Sequence, residues 1–404
     1  MTDTNSHTNQ PRLLSFTLDG GTALGGQVSV SLRNGVVVLV GRNGAGKSAT
    51  LEGFEYISSL AIGRFRRIRQ SNDYSNPKKL NVEILTVDNR QLEYEYEFIT
   101  LATSTDETDI DDSTNDNSED NQFSWNDRCQ YIDGEKELLW TTKNGVTTLK
   151  NGIIAVLGST SLLRRTTLPK NSPIEIPIEM QWIRAVLNGV RLLGKDTIRQ
   201  TFKRTPIIVN VSNKGIYLSS GWLAHELAHK IFRRKEIDEL NELESVCQRV
   251  GLGSKIAVKE FVQSEKPKEK AGDEEYFSVL LDGVNIGLLS DGTLRVLSIL
   301  IEIMTPYPIP TIIIEEPETQ IHPGMLEKLL NEIEAYTYGE NLILSTHSPQ
   351  VVAWTSPENI NLVHRKDGQT FVRKLDKDEI QNVIEYISDE GNLGEWIYSG
   401  VLDE

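Results

Sequence analysis

Cysteine is scarce in this chain and long apolar runs are missing, and both features narrow its class. The 404 residues include two cysteines, Cys129 and Cys247, which form neither a disulfide framework nor a zinc-ligand spacing. No apolar run approaches the roughly 18 residues of a membrane-spanning helix. Residues 1–11 are polar and lack the apolar core of a signal peptide. We therefore expect a cytoplasmic protein with no membrane span, long enough for two domains or one domain with large insertions.

Positive charge is also in short supply. Lys and Arg number 42 against 58 Asp and Glu, so the formal net charge is -16. This balance excludes a general nucleic-acid coat. Basic clusters at residues 64–69 and 233–235 contain a single aromatic side chain, Phe65, rather than the repeated aromatics of a base-stacking platform, which favours solvated helix faces. Nucleic acid is left open as a partner, but composition does not favour it.

The chain does contain a complete phosphate-binding pattern. An apolar run at residues 36–40 (VVVLV) leads into residues 41–48 (GRNGAGKS), which match G-x-x-x-x-G-K-S before a predicted helix. The glycines let backbone N–H groups curl around phosphates, and the helix N-terminus adds a positive end. Lys47 can neutralise β- and γ-phosphate charge, and the Ser48 hydroxyl can ligate Mg²⁺. The expected nucleotide-binding residues are Gly41, Arg42, Asn43, Gly44, Ala45, Gly46, Lys47, Ser48 and Ala49.

A second apolar run ends in carboxylates. Residues 311–314 (TIII) are typical of a parallel strand buried on both faces, and Glu315 and Glu316 follow before Pro317 stops the strand. In open α/β sheets, ligands bind outside the carboxyl ends of such strands. We interpret this as a Walker B motif in which Glu315 holds the metal, directly or through water, and Glu316 orients the attacking water. An exposed acidic strand end is the alternative.

Two further segments give a family resemblance. Residues 289–293 (LSDGT) precede an apolar helix predicted over 294–304, and here the chain resembles the ABC-type ATPases, whose signature loop reads L-S-x-G-[QE]. Residues 317–323 (PETQIHP) resemble the D-loop of the RecF-like, SMC-like and OLD-like branch, which includes AAA family ATPases of bacterial defence systems. Residues 342–349 (LILSTHSP) supply a strand and a switch histidine, His347. The resemblance covers the phosphate loop and roughly residues 275–365.

The resemblance implies an α/β fold: an ABC-ATPase-like P-loop NTPase with a mixed sheet, an antiparallel β insertion and a helical lobe. It implies ATP and Mg²⁺ as cofactors, and Glu316, His347 and Lys47 as catalytic residues. It also implies a homodimer or higher homo-oligomer, in which Ser290 and the Gly292 N–H of one chain close over the γ-phosphate held by another. A strand-end histidine bonded to backbone is the alternative for His347.

Two positions depart from the family pattern. Glu315 stands where the family usually has aspartate. The extra methylene of glutamate displaces the carboxylate from the position that an aspartate would give it, and Mg²⁺ tolerates little error in the positions of its ligands. Water-mediated metal binding or slow turnover would follow. Thr293 replaces the usual glutamine or glutamate of the signature. The Q-loop glutamine stays open among Gln70, Gln91, Gln122 and Gln130.

Composition divides the chain into six segments. Residues 103–121 are acidic and almost free of apolar side chains, so we expect a flexible loop there, either a solubilising linker or a docking segment for a basic partner. The other expected segments are an N-terminal ATPase lobe (1–102), a β-rich insertion (122–177), a helical lobe (178–274), a C-terminal ATPase lobe (275–365) and a tail (366–404).

One metal motif is set aside. Residues 225–229 (HELAH) match H-E-x-x-H, in which two histidines one helical turn apart can bind zinc. Lys230 puts a charge where zinc proteases usually have none, and Glu242 lies about 20 Å further along a straight helix. We interpret His225, Glu226 and His229 as a chance match on a charged helix.

The sequence thus predicts an ATP-hydrolysing switch that acts in genome maintenance or defence. No effector chemistry is visible, so a separate, nuclease-like effector protein is expected. One alternative is a RecF/SMC-like clamp that binds DNA. Another is a catalytically weak ATP-binding scaffold, which the departures at Glu315 and Thr293 would suit.

Overall fold

A computed structural model describes residues 10–63, 75–100, 123–144, 146–152, 154–156, 163, 177–194, 209–212, 215–218, 228, 231–232, 237–260, 275–305 and 311–388. The strands are β1 (Arg12–Asp19), β2 (Val28–Ser31), β3 (Val36–Val40), β4 (Lys79–Leu85), β5 (Gln91–Thr100), β6 (Phe123–Tyr131), β7 (Glu137–Lys143), β8 (Val146–Leu149), β9 (Ile154–Val156), β10 (Val190–Leu193), β11 (Val209–Ser212), β12 (Gly215–Leu218), β13 (Ile256–Glu260), β14 (Glu275–Leu281), β15 (Val284–Asn285), β16 (Thr311–Glu315), β17 (Asn341–Thr346), β18 (Ile360–Lys366) and β19 (Gln369–Lys374). The helices are α1 (Lys47–Ala61), α2 (Ile178–Asn188), α3 (Ile237–Val250), α4 (Asp291–Ile303), α5 (Pro323–Tyr336), α6 (Pro349–Trp354) and α7 (Lys377–Ser388), with short 3₁₀ turns at Ile286–Leu288 and Pro357–Asn359.

A six-stranded central sheet has the order β10-β16-β17-β3-β18-β19. Its first five strands run parallel, and β19 is antiparallel to β18. Strands β16 and β17 are buried along their whole lengths. Such burial suits parallel strands that are covered on both faces. The predicted α/β class with a mixed sheet is confirmed.

The central sheet separates two hydrophobic cores. Ile312 and Ile314 belong to a core shared with α3, α4 and α5. Ile313 points the other way, into a core shared with α1 and α2. This alternation follows from the two-residue period of a strand. Strand β16 is therefore packed between helices on both faces, which fixes the position of its end.

An eight-stranded antiparallel sheet has the order β2-β1-β4-β5-β6-β7-β8-β9. Its strands alternate between buried and more exposed residues, as β4 shows over its seven residues. The buried face packs on α1, where the rings of Phe16 and Phe54 stack with centroids 4.0 Å apart. The predicted antiparallel β insertion is confirmed, and it shares one continuous sheet with the first strands of the chain.

A third sheet has the order β12-β11-β14-β13, and β15 pairs with β14. In the sequence, residues 207–211 and 215–218 have an extended pattern, and β11 and β12 lie there. Helical patterning in the sequence continues from residue 178 to 202, but the structure ends α2 at Asn188. The Gly189 N–H closes α2 on the carbonyls of Ala185 and Val186, and β10 then pairs with β16 in the central sheet. Within the described part of the chain, no helix is long and apolar enough to cross a membrane.

Candidate nucleotide-binding site

Three neighbouring strands of the central sheet end at the same edge. Val40 at the end of β3 pairs with Thr346 at the end of β17, and Ser345 pairs with Glu315 at the end of β16. The phosphate loop, His347 and the Glu315–Glu316 pair directly follow these positions. The structure therefore brings together the groups that the sequence predicts around a nucleotide, at the sheet edge where ligands bind in open α/β folds.

The phosphate loop curls tightly before α1. Gly46 caps the helix with φ of 106°, and a Cβ there would lie 2.2 Å from the Thr370 hydroxyl oxygen, so backbone and space both demand glycine. Lys47 is 6% exposed, and its ammonium group donates to the carbonyls of Gly41 (2.5 Å) and Arg42 (3.2 Å). A positive charge is thus held inside the curve of the loop.

The tip of the same loop is open to solvent. Arg42, Asn43 and Gly44 are exposed, and Ser48 and Ala49 are half-buried in the first turn of α1. The first N–H groups of a helix have no partners within the helix and point beyond its N-terminus. A ligand that reaches the tip would meet these N–H groups and the buried ammonium together, which is the arrangement that a phosphate chain needs.

Glu315 is a buried carboxylate with unused oxygens. It is 1% exposed, and neither oxygen accepts a hydrogen bond from the described residues. The nearby Arg295 guanidinium offsets part of this charge but donates to backbone carbonyls, so the two carboxylate oxygens still need a cation or water. Mg²⁺ commonly takes one or two protein oxygen ligands together with phosphates and waters. Glu315 and the hydroxyl of Ser48 are the residues that would hold it, and the two unused oxygens fit that role.

Glu316 starts a turn that leaves the strand. Its φ of 44° lies in the left-handed region, which few non-glycine residues adopt, and its N–H donates to the Ser345 carbonyl at 2.7 Å. Its carboxylate accepts a hydrogen bond from the Thr319 hydroxyl at 3.3 Å and lies 3.8 Å from Nδ1 of His347. The predicted catalytic carboxylate and the predicted switch histidine are therefore neighbours.

Glu318 also reaches His347, and sequence analysis gave it no separate role. Its Oε1 accepts hydrogen bonds from the Thr346 hydroxyl (2.8 Å) and from the His347 backbone N–H (3.1 Å). Nδ1 of His347 lies 3.4 Å from the same oxygen. In the sequence, Glu318 was only one of several acidic residues near Pro317, and nothing local shows that it reaches the end of the neighbouring strand, β17.

The signature loop packs against the turn that follows β16 in its own chain. Ser290 caps α4, accepting a hydrogen bond from the Thr293 N–H, and the two hydroxyls lie 2.7 Å apart. Thr293 therefore has a local role in the cap. A Cβ on Gly292 would lie 2.3 Å from the Gln320 carbonyl oxygen, so this glycine permits the close approach. The helix begins at Asp291, slightly before the predicted start.

Arg295 is a second residue that sequence analysis missed. It is 1% exposed, and its guanidinium donates to the backbone carbonyls of Glu315 (2.5 Å), Leu193 (3.2 Å) and Gly194 (3.0 Å). Burial lowers its pKa to about 10, against the opposing effect of the nearby Glu315 carboxylate. The side chain thus ties the signature helix to the ends of β10 and β16. The sequence signal that could have identified Arg295 is its position as a lone positive charge within the apolar run of α4.

Comparison with known families adds the observation that decides the class. A family model described as an AAA domain, a putative AbiEii toxin of a type IV toxin–antitoxin system, matches residues 36–142 and 254–353. These ranges cover half of the chain and include the phosphate loop, the signature loop, the Glu315 turn and His347. The chain belongs to this AAA family. The resemblance to AAA-type ATPases is therefore confirmed, and no curated protein matches the chain.

This AAA chain is also similar to solved SMC head domains, at low identity. One is the Smc head bound to the C-winged helix domain of ScpA (14% identity, TM-score 0.44, covering 91% of this chain and 99% of that chain). Another is a Pyrococcus furiosus Smc head with an extended coiled coil, bound to the C-terminal domain of ScpA (13%, 0.41, 94% and 100%). A third is the SMC head from Thermotoga maritima (12%, 0.38, 90% and 99%). These scores assign neither activity nor partners to the AAA chain.

Several other candidates of the AAA chain lie away from this edge or outside the described residues. Of the Q-loop candidates, Gln91 and Gln130 lie in the antiparallel sheet, where the Gln130 amide donates to Glu93 at 2.6 Å. The described residues contain no group of three His, Cys, Asp or Glu side chains that could hold a metal. The predictions for Gln70, Gln122, His225, Glu226, His229, the acidic loop 103–121 and the basic clusters at 64–69 and 233–235 lie outside the described residues.

Proposed function

We propose that this AAA family chain binds ATP with Mg²⁺, dimerises around it and hydrolyses it to ADP and phosphate. The observation that carries the proposal is the convergence of a curled phosphate loop, a buried lysine and two buried glutamates at one sheet edge. Each group has chemistry that a triphosphate and its metal require.

In this proposal the phosphate loop and the first turn of α1 bind ATP. The backbone N–H groups at residues 41–49 surround the phosphates, and the Lys47 ammonium exchanges its carbonyl partners for phosphate oxygens. Burial of Lys47 strengthens this interaction, because charges attract more strongly away from bulk water. Ser48 and Glu315 hold Mg²⁺, which when bound neutralises charge on the phosphates.

In this proposal the residues that carry out hydrolysis lie in the turn after β16 and just after β17. Glu316 orients and polarises the attacking water, and His347 contacts that water or the γ-phosphate. The 3.8 Å separation between the Glu316 carboxylate and Nδ1 of His347 supports a shared task, since both can reach one small ligand.

A second copy of the chain completes the site in this proposal. Ser290 and the Gly292 N–H of one chain donate to the γ-phosphate bound by the other. Ser290 is exposed, and the apolar side chains of Val284 and Leu288, six and two residues before it in the chain, are 45% and 42% exposed. Apolar side chains next to an exposed cap are suited to burial in a contact between chains.

The cell role that we propose is a nucleotide-dependent switch in bacterial antiphage defence or genome maintenance. The family description, a putative toxin of a toxin–antitoxin system, supports a defence setting. We further propose a cytoplasmic location, which two buried free cysteines suit, and a separate nuclease-like effector. A weakly hydrolysing scaffold is the second candidate. It is favoured by the Thr293 hydroxyl, which is engaged with Ser290 where the family has a longer polar side chain.

Mixing two inactive variants tests the shared site. Lys47→Ala disables the phosphate loop and Ser290→Arg blocks the signature loop, so each variant alone should hydrolyse little ATP. A mixed dimer contains one intact pair, the loop of the Ser290→Arg chain and the signature of the Lys47→Ala chain. Hydrolysis should therefore return on mixing. If both variants fold and the mixture stays inactive while the parent is active, the shared site is wrong.

A further inference from the structure

We propose that Glu318 is a positioning residue that fixes the His347 loop and selects the ring tautomer with hydrogen on Nδ1. The expected effect of Glu318 on kcat rests on the ATPase function proposed above. The expected effect of Glu318 on the His347 tautomer does not, so an experiment can test the tautomer even if the chain hydrolyses no ATP.

The geometry supports one shared acceptor. Three donors or potential donors surround Oε1 of Glu318: the Thr346 hydroxyl at 2.8 Å, the His347 backbone N–H at 3.1 Å and the His347 ring Nδ1 at 3.4 Å. Backbone and ring of the same histidine thus face one carboxylate oxygen. A carboxylate that receives a ring N–H holds the tautomer and leaves the other ring nitrogen, Nε2, as an acceptor. Of the two contacts proposed for His347, this tautomer therefore selects the attacking water, which can donate to Nε2, over the γ-phosphate, which cannot.

Glu318 is itself held in place. The Thr319 N–H donates to the Glu316 carbonyl at 2.9 Å, and the Ile321 N–H donates to the Glu318 carbonyl at 3.2 Å, so the turn is closed by its own backbone. The Glu318 side chain is 12% exposed. Thr346 adds a second support, because its hydroxyl oxygen also accepts from the Ser348 N–H at 2.9 Å, at the start of α6. A fixed acceptor of this kind can orient a ring that is 46% exposed.

Glu316 is the competing partner for the ring, and distance separates the two. Its nearer oxygen is 3.8 Å from Nδ1, and its other oxygen accepts from the Thr319 hydroxyl. Glu318, in contrast, accepts from the backbone N–H of His347 as well as lying near the ring. This arrangement divides the work: Glu318 holds the histidine, and Glu316 stays available for the water.

Nitrogen NMR of histidine-labelled protein tests the tautomer directly. The chain has 6 histidines, and the spectrum of His347→Ala identifies the signal of His347. We expect the Nδ1–H form in the parent and in Glu318→Gln, whose amide oxygen can still accept. Glu318→Ala should shift His347 toward the Nε2–H form. An Nε2–H form in the parent, or an unchanged signal in Glu318→Ala, overturns the proposal.

Kinetics distinguish positioning from direct catalysis. Glu318→Ala should lower kcat about tenfold or more, with little change in KM, as loss of a group that orients a functional histidine does. Glu318→Gln should restore most of the rate, whereas Glu316→Gln should not. If Glu318→Gln loses as much activity as Glu316→Gln, Glu318 is a catalytic base and the positioning role is wrong.

A second variant guards against a folding defect. Should Glu318→Ala fail to fold, Thr346→Val removes one donor to the same oxygen and is expected to give a smaller loss of kcat together with a less uniform His347 tautomer. A Thr346→Val protein with parental rate and tautomer counts against the proposal. If the parent itself hydrolyses no ATP, the proposed function fails, and the tautomer measurement still decides the role of Glu318.

Discussion

The central sheet and the antiparallel sheet treat their carboxylates differently. On the antiparallel sheet, Glu93 accepts hydrogen bonds from Asn81 (2.9 Å) and Gln130 (2.6 Å) on its two neighbouring strands. At the edge of the central sheet, both oxygens of Glu315 are buried and have no hydrogen-bond partner among the described residues. Glu93 is thus satisfied within its sheet, and one oxygen of Asp127 on β6 is the buried exception there, whereas Glu315 has neither oxygen satisfied.

The difference follows from strand direction. Antiparallel neighbours bring polar side chains within reach across the ladder, either directly opposite, as Gln130 is to Glu93, or diagonally, as Asn81 is. Parallel strands carry their apolar residues inward on both faces and leave polar residues only at the ends. The residues that we propose for ATP binding and hydrolysis therefore lie where β3, β16 and β17 end. Matched substitutions, one in the central sheet and one in the antiparallel sheet, test this difference between the two sheets.

The largest effect is expected from Glu316→Gln. Loss of the carboxylate should lower the ATP turnover number by about 10²–10⁴-fold, the usual contribution of a general base, and should leave ATP affinity near that of the parent. The matched change Glu95→Gln affects an exposed carboxylate of β5 and should leave turnover unchanged. Equal turnover in Glu316→Gln and the parent, measured by phosphate release, would remove Glu316 from the mechanism.

Arg295→Met should cost the most stability. The change leaves three buried backbone carbonyls without their donor, and removal of such a buried partner typically costs about 3–5 kcal/mol in the free energy of unfolding. Arg128→Met alters an exposed arginine of the antiparallel sheet and should cost less than about 0.5 kcal/mol. Denaturant titration measures both, and similar losses in the two variants would contradict the assigned role of Arg295.

Asp127 in the antiparallel sheet should make the free energy of unfolding depend on pH, with a smaller total effect than that of Arg295→Met. Burial raises the pKa of this carboxyl to about 6, although the neighbouring Thr142 hydroxyl and a hydrogen bond from the Tyr94 hydroxyl at 3.3 Å oppose the shift. Between about pH 4 and 6 the folded state then binds more protons than the unfolded state, so stability falls as pH rises, by about 3 kcal/mol in all.

Asp127→Asn removes this titration. The free energy of unfolding of Asp127→Asn minus that of the parent should therefore rise between pH 4 and 6 and stay constant above. Denaturant titrations of both proteins across that range check the slope. A difference that is flat with pH would show that Asp127 is not buried in its neutral form.

The sequence was most informative where a motif fixes its own geometry. Helix α1 begins at Lys47 as the phosphate-loop pattern requires, and residues 311–315 form a buried parallel strand with Glu315 at its end. In residues 80–101 apolar side chains alternate with polar ones, a pattern that indicates strands, and the antiparallel pair β4 and β5 lies there. In each case the controlling contacts are local or repeat with a fixed period.

Long-range contacts were harder to foresee. Glu318 and Thr346 lie 28 positions apart, and Arg295 and Gly194 lie 101 apart, so no spacing rule links them. The strand β10 was predicted as helix because its apolar residues continue the pattern of α2, and only its pairing with β16 reveals a strand. These features depend on tertiary neighbours, which local patterns do not encode.

ATP affinity in Lys47→Ala tests the central claim, that the end of the parallel sheet holds ATP. Calorimetry with a non-hydrolysable ATP analogue and Mg²⁺ should show affinity lowered by about 10- to 100-fold, as loss of charged hydrogen bonds to phosphate predicts. Lys143→Ala, at an exposed end of β7, should bind like the parent. If folded Lys47→Ala binds the analogue as tightly as Lys143→Ala, the nucleotide site is not at this edge.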